Sequence, residues 1–268
     1  MRVHVALTPG EFPDLALGGK AALVVDVLRA TSMVVAAFGA GCARVIPVKD
    51  AGEARERARA LLPEPVLLAG EHGGDRIEGF DLGNSPLDCT PESVGGRTLL
   101  LTTTNGTAAM LKASQAGAAA VAALTNVGAA ARWAVSAGRD VTVLCAGEKG
   151  GFSLEDAVCA GLLADGIARA VAGAALSDAA QAARCLGVLY GPHLDRLRTD
   201  SGWARHLEAQ ARAADLDCCL RLDTSKVVPV LDNGVIKGAL TAGPGALTWP
   251  ADEADTRQGR PASPGAHR

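Results

Sequence analysis

Short apolar runs alternate with helix-length segments along most of the chain. The run at 22–28 (ALVVDVL) has no polar alternation before Asp26, which is typical of a strand buried on both faces. The segment 70–91 is rich in Gly, Asp, Asn and Pro, which predicts a long loop of the kind that carries function. Between them the pattern predicts a helix at 31–40, a strand at 44–48, an amphipathic helix at 49–62 and a strand at 66–69.

The same order of elements then begins again. Residues 23–54 align with 98–131, most closely at an offset of 76, which places Thr31 on Thr107 and Gly41 on Gly117. We therefore predict a duplicated βαβαβ unit covering about 21–90 and 97–165. Chance similarity between two stretches rich in Ala and Gly is the alternative.

Helices are predicted to follow the second unit, and a β-hairpin closes the periodic part of the chain. Asn233-Gly234 separates two apolar runs at 227–240, which is a strong hairpin signal. The sequence thus predicts one α/β domain at 1–242, layered α/β/α, with a largely parallel or mixed sheet and a C-terminal helical segment. Residues 243–268 lose all periodicity and are predicted to be disordered. The predicted helices lie at 154–172, 177–190, 201–213 and, within the second unit, 107–123.

Composition narrows the function classes. The chain has 268 residues, 49% hydrophobic and 3% aromatic, with a formal net charge of −3, so nucleic acid is not an expected partner. No apolar run approaches the ~18 residues of a membrane span. The seven cysteines are odd in number and form no CxxC pair, which favours a cytoplasmic protein with reduced thiols.

Two polar clusters fall where predicted strands end and helices begin. Asp26, Arg29, Thr31 and Ser32 combine a carboxylate, a guanidinium fork and two hydroxyls, groups suited to binding an anion at a helix start. In the alternative reading, Thr31 is only a helix cap and Asp26–Arg29 a structural ion pair. The repeat partner at 102–107 (TTTNGT) is predicted to be an anion-binding turn or, alternatively, an ordinary capped turn, with Thr102 opposite Asp26 and Asn105 opposite Arg29.

A third cluster is acidic. Glu71 ends an apolar strand, Asp81 lies in a glycine-flanked turn, and Glu155-Asp156 occupies the matching region of the second unit. Burying several carboxylates together is costly without a cation, so a divalent ion with oxygen ligands is expected. For Glu155 a favourable interaction with the helix dipole is the alternative. Cys145 also ends a predicted strand, in a position suited to a nucleophile, although a buried hydrophobic role is favoured.

These motifs, in this order, resemble the 2-phosphosulfolactate phosphatase family. The resemblance covers about residues 3–240 and is most specific in its two long strings, GFDLGNSP and TTTNGT. It implies an α/β fold, Mg²⁺, and hydrolysis of a phosphate monoester on a small sulfonated hydroxy acid in coenzyme M biosynthesis. The matching strings are DVLRATS (26–32), AGE (69–71), GFDLGNSP (79–86), TTTNGT (102–107), CAG (145–147), FSLED (152–156) and LDxxxVVP (222–229).

On this resemblance the expected catalytic residues are Asp26, Arg29 and Glu71, and the expected Mg²⁺ ligands are Asp26, Glu71 and Asp81. A metal-activated water is the expected nucleophile, with phosphoryl transfer to Asp26 as the alternative. Rival functions are a Mg²⁺-dependent phosphatase for another small phospho-hydroxy acid, a non-catalytic sensor of an anionic metabolite, and a hydrolase centred on Cys145. A homodimer is also expected, through the Ala/Gly-rich helix predicted at 107–123. The expected substrate-binding residues are Thr31, Ser32, Asn84, Ser85, Thr104, Asn105, Gly106 and Thr107.

Overall fold

The computed structural model describes the backbone of residues 1–240 and the side chains of residues 1–238. The disordered tail predicted at 243–268 lies outside the described residues. Within them, no helix is both long and apolar enough to span a membrane.

Eleven strands and ten helices alternate along the described chain. The strands are β1 (Arg2–Ala6), β2 (Ala21–Val25), β3 (Arg44–Pro47), β4 (Val66–His72), β5 (Asp75–Arg76), β6 (Thr98–Thr102), β7 (Ala118–Ala122), β8 (Val141–Cys145), β9 (Ala175–Leu176), β10 (Val227–Asp232) and β11 (Val235–Leu240). The helices are α1 (Ala30–Gly39), α2 (Ala51–Ala60), α3 (Pro91–Val94), α4 (Gly106–Ala113), α5 (Val127–Ser136), α6 (Leu154–Ala170), α7 (Asp178–Tyr190), α8 (Leu197–Asp200), α9 (Gly202–Ala209) and α10 (Ala213–Cys219).

The strands form one mixed sheet in the order β5-β4-β6-β3-β11-β10-β7-β2-β8-β1-β9. The predicted α/β class is confirmed. Strand β2 is buried on both faces, as predicted, because Leu23 and Val25 pack into one core and Ala22 and Val24 into the other. Helices α5, α6 and α7 cover the first face, and α1 and α4 cover the second. The result is the layered α/β/α arrangement.

The two predicted units exchange their first strands within this sheet. Strand β6, which begins the second unit, lies between β3 and β4 of the first unit, and its neighbours are parallel to it. Strand β2, which begins the first unit, lies between β7 and β8 of the second unit, again in parallel. The units are therefore interleaved rather than set side by side, while their origin by duplication stays a prediction.

The predicted hairpin is confirmed. It joins two blocks of parallel strands, β4-β6-β3 and β7-β2-β8-β1-β9. Asn233 and Gly234 both have positive φ, at 49° and 76°, as the tight turn requires. Strand β10 pairs antiparallel with β7, and β11 pairs antiparallel with β3. The hairpin thus closes the gap between the two blocks.

The helix predicted at 107–123 is wrong beyond residue 113. Helix α4 ends at Ala113, and residues 118–122 form strand β7, which lies between β2 and β10 inside the sheet. Alanine favours helix, but burial between two strands overrides that preference. The Ala/Gly-rich surface on which a homodimer was expected is therefore not a continuous helix.

Helices α6 and α7 approach closely through glycine. A Cβ atom on Gly161 would lie 1.8 Å from the carbonyl oxygen of Ala183, and one on Gly187 would lie 2.6 Å from the carbonyl carbon of Gly161. Both neighbours are helix backbone, which cannot move aside cheaply. The closeness of the two helices depends on these glycines.

We expect Gly161→Ala to destabilise the protein by on the order of 3 kcal/mol, since overpacking of a rigid contact costs about this much. Gly39→Ala is the matched control, because a Cβ at Gly39 meets nothing within 4 Å. Urea denaturation compares the two variants. Equal urea midpoints for Gly161→Ala and Gly39→Ala would contradict the close contact between α6 and α7.

Candidate active site

Asp26 lies at the end of β2, where two helix N-termini meet. Its Oδ1 accepts a hydrogen bond from the backbone N–H of Ala30 at 3.2 Å, in the first turn of α1. A Cβ atom on Gly106, the first residue of α4, would lie only 2.6 Å from Oδ2. The carboxylate is 8% exposed. Positive helix ends therefore approach it from two sides, and glycine at 106 is what permits the second approach.

Glu71 is held close to the same place by three donors. Its carboxylate accepts from the backbone N–H of Gly74 at 2.7 Å, from that of Thr104 at 2.7 Å and from the Thr104 hydroxyl at 3.2 Å. The structure thus brings together Glu71 and the 102–107 turn, which the sequence placed in two separate polar clusters. Thr104, however, directs these donors at a carboxylate, so they are not free to bind a phosphate.

Several buried acids share this end of the sheet. Burial, with added repulsion from Glu71, Glu155 and Glu148, raises the pKa of Asp26 to about 7. The pKa of Asp156 is also raised, first by burial and then by Asp26 and Glu155. Glu155 is itself buried, and no donor in the described chain reaches its carboxylate. The site therefore holds more buried acidic groups than the described protein supplies with donors or positive charges.

A small cavity of about 30 Å³ is lined by the carboxylates of Asp26, Glu71 and Glu148. Its only basic side chain is Lys149, which is 77% exposed and lies 3.6 Å from Glu148 and 5.8 Å from the ring of Trp203. Asn84 also lines it, and its buried Oδ1 has no hydrogen-bond partner in the described residues. The lining residues are Asp26, Leu28, Glu71, Gly73, Asn84, Thr104, Asn105, Glu148, Lys149 and Trp203.

A larger pocket of about 250 Å³ adjoins the small cavity and shares Glu148, Lys149 and Trp203 with it. His206 stacks on Trp203 with ring centroids 4.7 Å apart. Sequence reasoning missed this wall. Glu148 and Lys149 fall between the matched strings CAG and FSLED, and nothing local to α9 indicates that Trp203 reaches the site. The remaining lining residues are Phe152, Ser153, Leu154, Glu155, Ser201, Gly202 and His206.

Three hydroxyls expected to bind substrate are committed to the backbone instead. The hydroxyls of Thr31, Ser32 and Thr107 donate to the carbonyl oxygens of residues 26, 27 and 103 at 2.7–2.9 Å. All three side chains are buried. They brace the strand-to-helix turns, because short polar side chains at such turns find backbone partners nearby.

At the turns that follow β2 and β6, the structure pairs the residues of the two units differently, by one residue, from the sequence alignment. The hydroxyl of Thr31 donates to the carbonyl oxygen of Asp26, five residues earlier, whereas the hydroxyl of Thr107 donates to that of Thr103, four residues earlier. Thr103, not Thr102, is therefore the structural counterpart of Asp26. The first turn is one residue longer and contains Arg29.

Arg29 neither pairs with Asp26 nor lines the cavity. Its side chain is 1% exposed, with Nη1 donating to Asp215 at 2.5 Å and Nη2 donating to the Gly74 carbonyl at 2.7 Å. The Ser85 hydroxyl donates to the other oxygen of Asp215 at 2.5 Å. Arg29, expected to be catalytic, and Ser85, expected to bind substrate, instead both donate to Asp215, a residue that the motifs did not indicate.

Asp81 is also outside the cavity. It is exposed, and its Oδ2 accepts from the backbone N–H of Leu68 at 2.8 Å, which fixes the loop to β4. Asp156 is likewise structural, because its two oxygens accept from Val27 N–H at 2.8 Å and Gly147 N–H at 3.0 Å. It thereby ties together the ends of β2 and β8.

Cys145 is unsuited to nucleophilic attack. It is fully buried in the sheet, and burial, with added repulsion from Asp156, raises its pKa well above the usual value. A thiol needs a lowered pKa and access to substrate to act as a nucleophile. The hydrophobic role favoured from the sequence agrees with this placement.

The donor set fits Mg²⁺ held largely through water. No three His, Cys, Asp or Glu side chains between residues 1 and 238 are placed to hold one ion directly. Mg²⁺ commonly binds through one or two carboxylates and keeps several waters. Asp26, Glu71 and Glu148 offer carboxylates to one cavity whose volume suits an ion with little else. The predicted set of Asp26, Glu71 and Asp81 is not assembled.

Comparison with known proteins shows a consistent relationship. Residues 6–234 match the family model described as 2-phosphosulpholactate phosphatase. A protein of Caldanaerobacter subterraneus named "Probable 2-phosphosulfolactate phosphatase" is 36% identical over 84% of this chain and 92% of its own length. A protein with the same name from Deinococcus radiodurans is 38% identical over 90% of this chain and 98% of its own length. Another, from Gloeobacter violaceus, is 39% identical over 85% of this chain and 94% of its own length.

We expect the stability of the wild type to fall relative to Asp26→Asn as the pH rises from about 4 to about 7, with EDTA present. Folded Asp26 keeps its proton up to a pKa of about 7, whereas its ordinary value is 3.8, so the folded state binds more protons in this window. Urea denaturation at pH 5 and pH 7.5 measures the difference in free energy of unfolding between the wild type and Asp26→Asn. A difference that does not change with pH would contradict the raised pKa.

Proposed function

The chain belongs to the 2-phosphosulfolactate phosphatase family, and we propose that it hydrolyses 2-phospho-3-sulfolactate to 3-sulfolactate and phosphate with Mg²⁺ as cofactor. The observation that carries the proposal is the cavity in which buried Asp26 and Glu71 meet Glu148, Lys149 and Asn84. Buried carboxylates that lack a counter-charge favour binding of a divalent cation. The bound cation would in turn attract the negatively charged phosphate.

Asp26, Glu71 and Glu148 would hold Mg²⁺, directly or through water. When bound, the ion would neutralise phosphate charge and lower the pKa of a water molecule. Lys149 adds a second positive charge that is free to move, because it is largely exposed. Phosphoryl transfer is catalysed mainly by positioning and charge stabilisation, which these groups supply.

The relative sizes of the two pockets orient the substrate. The cavity beside Asp26 holds about 30 Å³, enough for an ion or a water molecule but not for a three-carbon acid. The adjoining pocket of about 250 Å³ can hold the rest of the molecule. We place the phosphate at their junction, near Lys149, and the sulfonated end towards Trp203 and His206.

Asn84 and Asn105 complete the phosphate side of the site. The unpartnered Oδ1 of Asn84 fits a donor such as a metal-bound water or a substrate hydroxyl. Asn105 lines the cavity without capping α4 through its side chain, so its amide is free to donate to an anion. These are the expected substrate-binding residues that the geometry supports.

Other small phospho-hydroxy acids are the second candidate substrates, since the pocket chemistry does not distinguish a sulfonate from a carboxylate. A sensor of an anionic metabolite would use the same pockets without turnover. We also propose a cytoplasmic location, supported by seven cysteines that are all free. The expected homodimer stays a prediction.

We expect phosphate release from 2-phosphosulfolactate to require Mg²⁺ and to stop in EDTA. Asp26→Asn is expected to lower kcat on the order of 1,000-fold, the scale seen when a central electrostatic group is removed. Asp81→Asn is the matched control and should retain activity. A colorimetric phosphate assay over a panel of phosphomonoesters measures both. Absence of metal-dependent release from every compound would overturn the proposal in favour of a sensor.

Cys145→Ala is expected to keep wild-type kcat and KM, because a buried, protonated thiol takes no part in the reaction. The same phosphate assay measures this. Thiol labelling of the native protein should modify exposed Cys185 first and leave Cys145 unmodified. Loss of turnover in Cys145→Ala, with normal folding, would revive the cysteine hydrolase.

A further inference from the structure

A buried ion pair connects three segments around the cavity. Asp215 on α10 accepts from Arg29 through one oxygen and from the Ser85 hydroxyl through the other, each at 2.5 Å. Arg29 also donates to the carbonyl of Gly74 at 2.7 Å. We call this group of Arg29, Asp215, Ser85 and Gly74 the Arg29–Asp215 clamp.

In each of the three connected segments, the residue just before the clamp residue lines the cavity. Leu28 precedes Arg29, Gly73 precedes Gly74 and Asn84 precedes Ser85, and all three line the cavity. The clamp residues themselves do not line it. The clamp therefore lies directly behind one wall, where it connects the residues after β2, the β4–β5 turn and the loop at 83–87 to one another through α10.

We propose that Asp215 is a positioning residue, which holds the cavity wall by fixing Arg29 and Ser85 together. The inference rests on the proposed phosphatase function only for its kinetic consequence. Asn84 is the group most affected, since its side chain enters the cavity from the residue next to Ser85 and has no hydrogen-bond partner of its own in the described chain. Misplacement of such a group by about 1 Å can cost on the order of 100-fold in rate.

Asp215→Asn and Asp217→Asn form a matched pair on the same helix. Asp217 is exposed and pairs with Arg198 at the surface, so its substitution makes the same chemical change away from the clamp. We expect Asp215→Asn to lower kcat/KM on the order of 100-fold, with a raised KM, at a temperature where circular dichroism shows it fully folded. Asp217→Asn should match the wild type. A purely structural role would lower the melting temperature and leave the kinetics of the folded protein unchanged.

Hydrogen–deuterium exchange tests the clamp without any substrate. Asp215→Asn should increase exchange at residues 72–76 and 83–87 relative to Asp217→Asn. Ser85→Ala, which leaves the ion pair intact, should increase exchange at 83–87 alone. This second variant decides the question if Asp215→Asn fails to fold, because it leaves the Arg29–Asp215 ion pair in place. The Ser85 hydroxyl also accepts from the Leu87 N–H at 3.2 Å, so the exchange of residues other than Leu87 reports on the clamp.

The outcomes separate the two proposals. If the wild type releases no phosphate from any compound, the proposed function fails, and the exchange experiment still decides whether the clamp fixes these loops. If the wild type is active and Asp215→Asn equals Asp217→Asn in both kinetics and exchange, the positioning role is overturned. Unchanged exchange at 83–87 in Ser85→Ala would overturn it as well.

Discussion

The burial of acidic side chains around Asp26 is the constraint on which the rest of this site depends. Each buried carboxylate costs several kcal/mol unless it is neutralised or given donors. The fold supplies part of what is needed, through the first turns of α1 and α4 at Asp26, three donors at Glu71 and two backbone amides at Asp156. The one basic side chain at the cavity, Lys149, pairs with Glu148, and the proposed Mg²⁺ follows from that shortage of positive charge.

The interleaved sheet explains how distant segments meet at this point. Helix α4 leads from β6, among the strands of the first unit, to β7, which lies beside β2, and its first residue, Gly106, reaches the Asp26 carboxylate at the end of β2. Gly106 makes the contact possible, since any side chain there would collide with the Asp26 carboxylate. The same interleaving gives the site an asymmetric chemistry, with a carboxylate at Asp26 and a hydroxyl at its counterpart, Thr103.

Local pattern predicted the elements and the ends of the strands that carry the site, but not the partners of its side chains. Asp26, Glu71, Asn84 and Asn105 were predicted because they follow apolar strands or lie in the strings that resemble the family, and all four line one cavity. Thr31, Ser32 and Thr107 were misassigned, since a hydroxyl that braces its own turn looks the same in sequence as one that binds a ligand. Asp215 and Trp203 lie on helices more than 170 residues after Asp26 in the chain, and only tertiary packing brings them to the site.

Calorimetric titration of Mg²⁺ into the protein tests the central claim, that these carboxylates hold a divalent cation. Performed at pH 7 with inorganic phosphate present, in two buffers of different ionisation enthalpy, it reports both binding and the number of protons released. The account predicts saturable binding with proton release in the wild type, because the pKa of Asp26 is about 7 before the ion binds, and loss of both in Asp26→Asn. No binding to the wild type, or equal binding and proton release in the two proteins, would contradict it.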